Sequence, residues 1–468
     1  MNEEILSAKS SQRSLQVATV SCRLIVTRAG NSQVLVMRNG ASVGLPSVEI
    51  PEWERAAPHL TGLIRENWGA RTICLFRAGV EDIKECSSQT RYYVLEALDT
   101  DWTPPREMAW HPAGEIDDED FQRSPDFEVL TSVLAQAASY NRGSCFFADS
   151  GYLEKLRAWV AARLKEHGLT LGDDWTQYNM GPFFCLIRFA TDGHDVWFKA
   201  VGKPNLREYA MATKLAELYP AYVPGILGFH PEWHGWLMRD ASGGHLDARC
   251  DLRLWERAAE SLALLQLASV ADRDILLATG FADLRLDYLD KAADFFFAAI
   301  VDLMALQTVS YPRPLTGLQL EITKIQLKRS LQVLEEIGLP DALVHLDLSS
   351  GNILVCPDRA VFLDWLHAGI GLPLLAVEYL LSLVQRLRPD EPNWPGTVLE
   401  AYRRVWEAQY SSDHLTRALR FTPIVAAMAF AVACLDWRKD PQDMSIHSAK
   451  LLRSIARRMY AEAVKLQQ

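Results

Sequence analysis

The sequence predicts an α+β protein with three successive parts: a mixed β/α domain, a small β-rich lobe and a larger helical lobe. Residues 15–140 hold short β-rich runs, and two further strand-like runs joined by a tight turn follow them. After residue 245 the pattern is mainly that of long amphipathic helices. We place the three parts at residues 1–140, 145–245 and 246–468, which suits a chain of 468 residues.

The first part combines strands with two helices. Runs rich in β-branched and aromatic residues predict the strands, and apolar residues at helical spacing predict the helices. The strands are Gln16–Thr27, Gln33–Met37 and Arg91–Leu95, and the helices are Glu54–Asn67 and Phe127–Ala138. The polar stretch Asn141–Gly151, which contains glycine, is interpreted as a linker to the next part.

The second part begins with a helix and then alternates strands with a helix. An Asp192-Gly193 turn between two apolar runs predicts a β-hairpin. The predicted elements are the helix Tyr152–His167, the strands Phe183–Thr191 and Asp195–Val201, the helix Asn205–Leu218, and the strands Ile226–Phe229 and Trp236–Asp240.

The third part is mainly helical, with one β-like interruption. The predicted helices are Leu252–Ser269, Asp287–Leu306, Leu318–Ile337, Leu375–Leu387, Val398–Tyr410, Leu415–Leu435 and His447–Gln467. The interruption, Val344–Asp364, carries two short strand-like runs at Asn352–Cys356 and Ala360–Asp364. Arg388–Thr397 holds three prolines and is predicted to be a loop.

Composition and charge favour a soluble, cytoplasmic protein. The net charge of −11 argues against a nucleic-acid partner. The eight cysteines show neither a C-x-x-C pair nor a zinc-like spacing. The longest apolar run, Ile424–Leu435, is shorter than the ~20 residues that cross a bilayer, so we expect a buried helix and no membrane contact. The oligomeric state is left open by the sequence.

The strongest chemical signal lies in the β-like interruption of the helical part. It has the pattern H-x-D-x-x-x-x-N, formed by His345, Asp347 and Asn352, and Asp364 follows at the end of the next strand-like run. Phosphoryl transfer needs a carboxylate that orients or deprotonates the acceptor hydroxyl, and oxygen ligands that hold Mg²⁺ against the phosphates. A tight hairpin between the two runs would bring Asn352 and Asp364 together as metal ligands, with Asp347 as the catalytic base. His345 is expected to brace the loop through hydrogen bonds.

These residues resemble the catalytic strings of the aminoglycoside phosphotransferase and choline kinase-like superfamily. Its usual strings are close to H-G-D-L-H-P-G-N-I-L, then I-D-W followed by A-G-x-G-x-P. The chain matches them with His345–Leu354, Leu363–Trp365 and Ala368–Pro373. The departures are Leu346, Ser349 and Ser350 for Gly, His and Pro, and Leu372 where an acidic residue is common. The resemblance implies a bilobal protein-kinase-like fold that transfers phosphate from ATP, with Mg²⁺, to a small hydroxyl-bearing acceptor.

The same resemblance implies nucleotide contacts in the small lobe. Lys199, at the end of the strand Val196–Lys199, would hold the phosphates and pair with Glu208 in the next helix. The structural alternative for Lys199 is a surface lysine at a strand end. The alternative for Glu208 is a carboxylate that stabilises the N-terminus of its helix. Lys203 is the fallback cation.

Two further segments of the small lobe are candidates for nucleotide contacts. Trp236–Asp240 resembles the hinge strand, with Met238 and Asp240 near adenine. Met180-Gly181-Pro182 is a weakly marked candidate for the phosphate-covering loop, since it has one glycine and no G-x-G-x-x-G pattern. The alternative for Trp236–Asp240 is a core strand, and the alternative for Met180-Gly181-Pro182 is an ordinary turn.

The first part faintly resembles a Nudix domain. Gly62–Gly69 stands where that family has R-E-x-x-E-E-x-G, and only Glu66 and the final glycine are kept. One carboxylate cannot replace the usual cluster that binds Mg²⁺ against a pyrophosphate. We therefore expect a Nudix-like fold without hydrolysis, and an unrelated accessory domain is the alternative.

Three functions compete. The first is a small-molecule kinase, and the second is a nucleotide-binding pseudokinase that regulates or senses. The third is a Nudix pyrophosphohydrolase with a kinase-like appendage. The intact set of Asp347, Asn352 and Asp364 favours the first, because a binding module need not keep both the base and the metal ligands.

Overall fold

A computed structural model shows the chain folded as two compact units. The first comprises Met1–Asn205 with Leu227–Leu237, and the second comprises Leu206–Ile226 with Met238–Gln468. The structure describes residues 19–468 except 29–32, 41, 53, 79–89, 118–120, 122, 140–145, 242, 248–249 and 435–436. The architecture is mixed α+β.

The first unit opens with a seven-stranded mixed sheet. In chain order its elements are β1 Thr19–Thr27, β2 Gln33–Asn39, β3 Ser42–Gly44, β4 Ser47–Pro51, α1 Ala56–Trp68, β5 Thr72–Arg77, β6 Thr90–Ala97, β7 Met108–Pro112 and α2 Ser124–Ser139. The strand order is β3-β2-β1-β6-β5, with β4 also paired to β1 and β7 to β2. The predicted strands and helices of this part are confirmed within two or three residues, and residues 16–18 of the first predicted strand lie outside the described residues.

Both faces of this sheet are covered by a hydrophobic core, because apolar residues of β1 point to both sides. Cys22, Leu24 and Val26 enter a core that also contains the α1 residues Leu60 and Ile64. The side chain of Ile25 points to the opposite face and enters a second core. Because successive strand residues face opposite sides, one apolar strand supplies two cores.

A second sheet follows in the chain. The elements are α3 Tyr152–Glu166, β8 Leu171–Asn179, β9 Phe184–Thr191, β10 Val196–Val201, α4 Arg207–Leu218, β11 Ile226–His230 and β12 Gly235–Arg239. The sheet has five strands in the order β11-β12-β10-β9-β8. The predicted hairpin is β9–β10, with Val196 opposite Phe189. Helix α4 belongs to the second unit.

Strand β8 was not predicted from the sequence. Its residues Leu171–Asn179 include Asp173 and Asp174, and most of them are half-buried or exposed. An edge strand tolerates such polar residues, because one side of its backbone and much of one face meet solvent. The apolar pattern that marks a buried strand is therefore missing.

The two sheets of the first unit share one hydrophobic core. It joins residues of the seven-stranded sheet, such as Ile25 and Tyr92, to residues of the five-stranded sheet, such as Ile187 and Phe198. Gln177 of β8 ties the sheets together, because its buried side chain accepts a hydrogen bond from Cys74 N (2.9 Å) and donates one to Cys74 O (2.8 Å).

The linker prediction for Asn141–Gly151 is wrong for its described end. Phe147 and Ala148 are buried, and the Glu96 carboxylate accepts hydrogen bonds from Ser150 Oγ (2.7 Å) and from Gly151 N (2.8 Å). A segment with buried aromatic residues and a buried carboxylate partner is part of the core rather than a free connection. Residues 141–145 lie outside the described part of the chain.

The second unit is mainly helical, with two small three-stranded sheets. After α4 its elements are β13 Gly244–His245, α5 Leu252–Ser269, α6 Arg273–Thr279, β14 Ala282–Leu284, α7 Leu286–Ala305, α8 Gly317–Ile337, β15 Ala342–His345, β16 Ile353–Val355, β17 Ala360–Phe362, β18 Ala368–Gly371, α9 Leu374–Leu387, α10 Trp394–Trp406, α11 Ser412–Cys434 and α12 Ile446–Lys465. The sheets have the orders β13-β16-β17 and β14-β18-β15. The predicted helices of this part are confirmed, and α5 matches at both ends.

One predicted helix of this unit is displaced at both ends, since Val398–Tyr410 was expected and α10 spans Trp394–Trp406. The proline-containing stretch Arg388–Thr397 was expected to be a loop, but α10 begins at Trp394, with Pro395 in its first turn. Proline is accepted there, because the first N–H groups of a helix have no partner inside the helix.

Helix α11 is long and apolar enough, by length and composition, to cross a membrane. Half of its most apolar window is buried inside the protein, and Ile424, Val425 and Met428 belong to the core of the second unit. A core helix meets the same criteria as a membrane span, so the packing indicates the buried helix that the sequence predicts. Residue 435 of the predicted span lies outside the described residues.

Candidate active site

A short β-hairpin brings Asn352 and Asp364 to the same end of the structure. Strands β16 and β17 pair with Ile353 opposite Phe362. Asn352 directly precedes β16, and Leu363 N donates a hydrogen bond to Asn352 O (2.9 Å) just before Asp364. Both polar residues therefore leave the hairpin at adjacent points, as the sequence predicts from a tight turn between the two runs.

His345 connects this hairpin to the neighbouring sheet. It ends β15, and its Nε2 donates to Leu363 O (2.9 Å) while its Nδ1 accepts from Asp347 N (3.2 Å). These two bonds require the neutral tautomer with hydrogen on Nε2. Burial lowers the pKa of His345, and the hydrogen bond to Leu363 O opposes that shift. A neutral imidazole thus holds the start of the Asp347 loop against the end of β17.

Asp347 and Asn352 are in direct contact. Asn352 Nδ2 donates to the backbone oxygen of Asp347 (2.9 Å) and to its carboxylate Oδ2 (3.1 Å). Both side chains are half-buried. The two bonds use the amide nitrogen of Asn352 and Oδ2 of Asp347, so neither the amide oxygen Oδ1 of Asn352 nor the carboxylate Oδ1 of Asp347 takes part in this contact.

The backbone at Asp364 is unusual. Its φ is 61° and its ψ is 73°, in the left-handed region that residues other than glycine seldom adopt. Its side chain is exposed. Asp and Asn enter this region more readily than other non-glycine residues, and such conformations are concentrated at functional sites. The sequence did not indicate this conformation.

The glycines after Asp364 allow two strands to approach closely. A Cβ on Gly371 would lie 2.3 Å from Leu284 O, and one on Gly369 would lie 2.7 Å from Ala282 O. Strand β18, which carries both glycines, lies between β14 and β15. The glycine pattern that supported the family resemblance therefore has a packing cause, since only glycine leaves room for β14 beside β18.

Helix α5 holds both small sheets through buried polar side chains that the sequence analysis did not single out. Ser269 Oγ accepts from Leu343 N of β15 (2.8 Å), and Ser261 Oγ accepts from Ala360 N of β17 (2.9 Å). Both serines are buried. One helix thus fixes the strand that leads into Asp347 and the strand that leads into Asp364.

Gln266 is a further buried polar residue of α5. Its Nε2 donates to Pro373 O (2.9 Å), and its Oε1 accepts from the hydroxyl of Tyr402 (2.7 Å). It therefore fixes the turn between β18 and α9 through a buried amide whose nitrogen and oxygen each have a partner.

Arg207, next to Glu208, makes a contact that the sequence did not indicate. Its Nη2 donates to Leu366 O (3.0 Å), in the segment that follows Asp364. Neither periodicity nor motif spacing indicates this contact, because it joins residues far apart in the chain.

The predicted nucleotide-binding residues are divided between the units. Lys199 is half-buried on β10, the third strand of the five-stranded sheet in chain order, and its Nζ lies 5.7 Å from the centre of the Trp236 ring. Glu208 is buried in the first turn of α4, Met238 is half-buried near the end of β12, and Asp240 is exposed just after it. Lys199 belongs to the first unit and the other three to the second, so their joint role stays a prediction. Lys203, the fallback cation, is exposed.

The residues at the end of the hairpin suit Mg²⁺ better than a transition metal. Among the described residues there is no group of three or more His, Cys, Asp or Glu side chains placed to hold a metal ion. Mg²⁺ usually binds through one or two carboxylates together with water and substrate phosphates. Asp364 and the oxygen Oδ1 of Asn352 are donors of that kind.

Comparisons with known proteins found similar solved structures. The macrolide 2′-phosphotransferase of Brachybacterium faecium is 16% identical and covers 65% of this chain and 98% of its own, with a TM-score of 0.42. The choline kinase of Streptococcus pneumoniae is 13% identical and covers 66% and 99%, with a TM-score of 0.43. The choline kinase of Cryptosporidium parvum is 10% identical and covers 67% and 96%, with a TM-score of 0.46. No family model and no curated protein matches the sequence.

Proposed function

We propose that this protein is an ATP-dependent phosphotransferase that moves the γ-phosphate to a hydroxyl of a small molecule in the cytoplasm. The observation that carries the proposal is the arrangement at the end of the β16–β17 hairpin. There, Asn352 binds the carboxylate of Asp347, and Leu363, next to Asp364, binds the backbone of Asn352. Phosphoryl transfer relies on a positioned carboxylate and oxygen ligands for Mg²⁺, and this arrangement supplies both.

Asp347 is proposed as the catalytic base. Asn352 Nδ2 holds Oδ2 of the carboxylate, which orients Oδ1 toward the acceptor. Oδ1 accepts the proton of the acceptor hydroxyl as its oxygen bonds to the γ-phosphorus, and the bond from that phosphorus to the β–γ bridging oxygen breaks, which releases ADP. His345 touches neither substrate in this scheme and acts as a positioning residue.

Asn352 and Asp364 are proposed to hold Mg²⁺. When bound there, Mg²⁺ neutralises charge on the phosphate oxygens. The left-handed backbone of Asp364 sets the direction of its exposed carboxylate. His345 holds the preceding residue in place through a hydrogen bond to Leu363 O.

The five-stranded sheet supports a nucleotide-binding role for Lys199. In kinases the lysine that binds the phosphates lies on the third strand and pairs with a glutamate of the next helix. Lys199 lies on the third strand here, and Glu208 is in the next helix. We propose that the pair holds the phosphates and that Met238 and Asp240 lie beside adenine.

The seven-stranded sheet is proposed to be a Nudix-like accessory domain without hydrolytic activity. Glu66 is the one acidic residue of α1, the helix that would carry the Nudix metal ligands, and it is exposed. A single carboxylate on this helix leaves the carboxylate cluster of that reaction incomplete.

The test measures ATP consumption, with and without Mg²⁺, across aminoglycosides, amino alcohols, sugars and nucleosides. Asp347→Asn should lower kcat by about 100-fold or more while ATP still binds, because the base is lost but the nucleotide contacts remain. Asp364→Asn keeps a residue that tolerates the left-handed conformation and should abolish Mg²⁺-dependent turnover. The control is Asp358→Asn, an exposed residue in the turn of the same hairpin, which should have no effect.

The outcomes separate the competing functions. Tight ATP binding without turnover of any acceptor would favour the regulatory pseudokinase. Loss of activity in Glu66→Gln together with full activity in Asp347→Asn would favour the pyrophosphohydrolase and contradict our proposal.

A further inference from the structure

The loop of residues 180–183, between β8 and β9, contains a single glycine, Gly181. We call it the 180 loop. Gly181 has a φ of 110°, which glycine adopts with little strain, and its position is buried. By its place between the first two strands of the sheet, the 180 loop is the segment that would cover the nucleotide phosphates in the proposed function.

One end of the 180 loop rests on the segment after β10. Gly202 N donates a hydrogen bond to Phe183 O (2.8 Å). A Cβ on Gly202 would lie 1.8 Å from Pro182 O, so the carbonyl of Pro182 lies directly against the glycine. This contact ties the loop to the strand that carries Lys199.

The other end is held by the N-terminal part of the chain. The side chain of Met180 packs against the core formed by α1 and one face of the seven-stranded sheet. Arg55, at the start of α1, donates from Nη1 to Asn179 Oδ1 (2.7 Å), and α1 packs against β8. Two residues earlier, Gln177 binds both backbone groups of Cys74. Gln177, Asn179 and Met180 thus all contact the N-terminal part of the chain.

We propose that the N-terminal sheet and α1 are a positioning element for the 180 loop, and that they set the affinity of this protein for a nucleoside triphosphate. The inference rests on the proposed function, since it assigns the loop to the phosphates. A glycine-rich loop has more backbone freedom to lose when a ligand binds, whereas contacts with α1 and its core restrict the 180 loop. Ordering a loop before binding removes an entropic cost from the binding step.

The experiment measures the dissociation constants of Mg-ATP and of AMP by calorimetry, on the full chain and its variants. Arg55→Ala and Met180→Ala should each weaken Mg-ATP binding by about three- to tenfold, because the loop loses one anchor. AMP lacks the β- and γ-phosphates, so its affinity should stay unchanged. Arg65→Ala removes an exposed arginine from the same helix and should leave both constants unchanged.

A double variant tests whether Arg55 acts through Asn179. Arg55→Ala combined with Asn179→Ala should weaken Mg-ATP binding no more than either single change, because both remove the same contact. Equal weakening of ATP and AMP, or no change in ATP affinity, would overturn the inference while leaving the proposed function in place. Failure of the unaltered protein to bind Mg-ATP would instead refute the proposed function, and the inference with it.

Discussion

At the scale of single residues, the candidate site depends on which groups are neutral and which are charged. His345 lies between the Asp347 loop and Leu363, and its two hydrogen bonds require a ring that donates from Nε2 and accepts at Nδ1. A proton on Nδ1 would face the N–H of Asp347 and break that bond. Burial, which lowers the pKa of His345, keeps the ring in the form that the loop needs.

This environment predicts a pH dependence of stability. Because the folded-state pKa of His345 lies below its unfolded value of about 6.5, the unfolded chain binds the extra proton first as the pH falls. The free energy of unfolding should therefore decrease below about pH 6.5, with a contribution of at most about 1.4 kcal/mol per pH unit. In urea unfolding between pH 5 and pH 8, the free energy of unfolding should fall more steeply with decreasing pH in the unaltered protein than in His345→Gln. Identical slopes in the two proteins would contradict a depressed pKa.

At the scale of secondary-structure elements, helical spacing was sufficient for the large helices, whereas the short strands required tertiary information. Helix α5 is predictable at both ends because its apolar positions recur with helical spacing. Strand β14 has three residues, and it forms by pairing with β18. A three-residue segment carries no periodicity, so its pairing partner decides its conformation.

The close approach of β14 and β18 predicts a large effect of a small substitution. Gly371→Ala should lower the free energy of unfolding by about 1–3 kcal/mol, because its Cβ would meet Leu284 O and the strands would have to separate. Gly396→Ala is the control, since that glycine lies in α10 and a Cβ there would have nothing within 4 Å. Chemical denaturation measures the free energy of unfolding of both variants. A Gly371→Ala protein as stable as the control would show that β14 is not constrained.

At the scale of the whole molecule, the first unit contains two sheets that pack against each other. Its two sheets share a core, and the segment that ends at Gly151 is fixed by Glu96. The polar composition of Asn141–Gly151 suggested a linker because the sequence does not reveal that Glu96 is its partner. A buried carboxylate is favourable only when it is hydrogen-bonded, and the chain supplies those donors here.

This organisation predicts that the first unit unfolds cooperatively. Gln177→Leu should lower the free energy of unfolding by about 1–3 kcal/mol, because the N–H and C=O of Cys74 would lose their buried partner. The unfolding transitions followed by far-UV circular dichroism and by tryptophan fluorescence should coincide and shift together to a lower midpoint. Gln332→Leu, at an exposed position of α8, should leave the midpoint unchanged. A separate early transition for the N-terminal sheet would contradict the shared core.

The sequence by itself determined the α+β composition, the long helices, and Asp347, Asn352 and Asp364 as the candidate chemical groups. These features are local, since periodicity and motif spacing act over neighbouring residues. Tertiary structure decided that Asn352 binds Asp347, that Asp364 adopts a left-handed backbone, and that α5 anchors both small sheets. It also decided that Met180 packs against the core beside α1. Each of these contacts joins residues that only folding brings together, and their strength depends on burial, which a linear pattern does not contain.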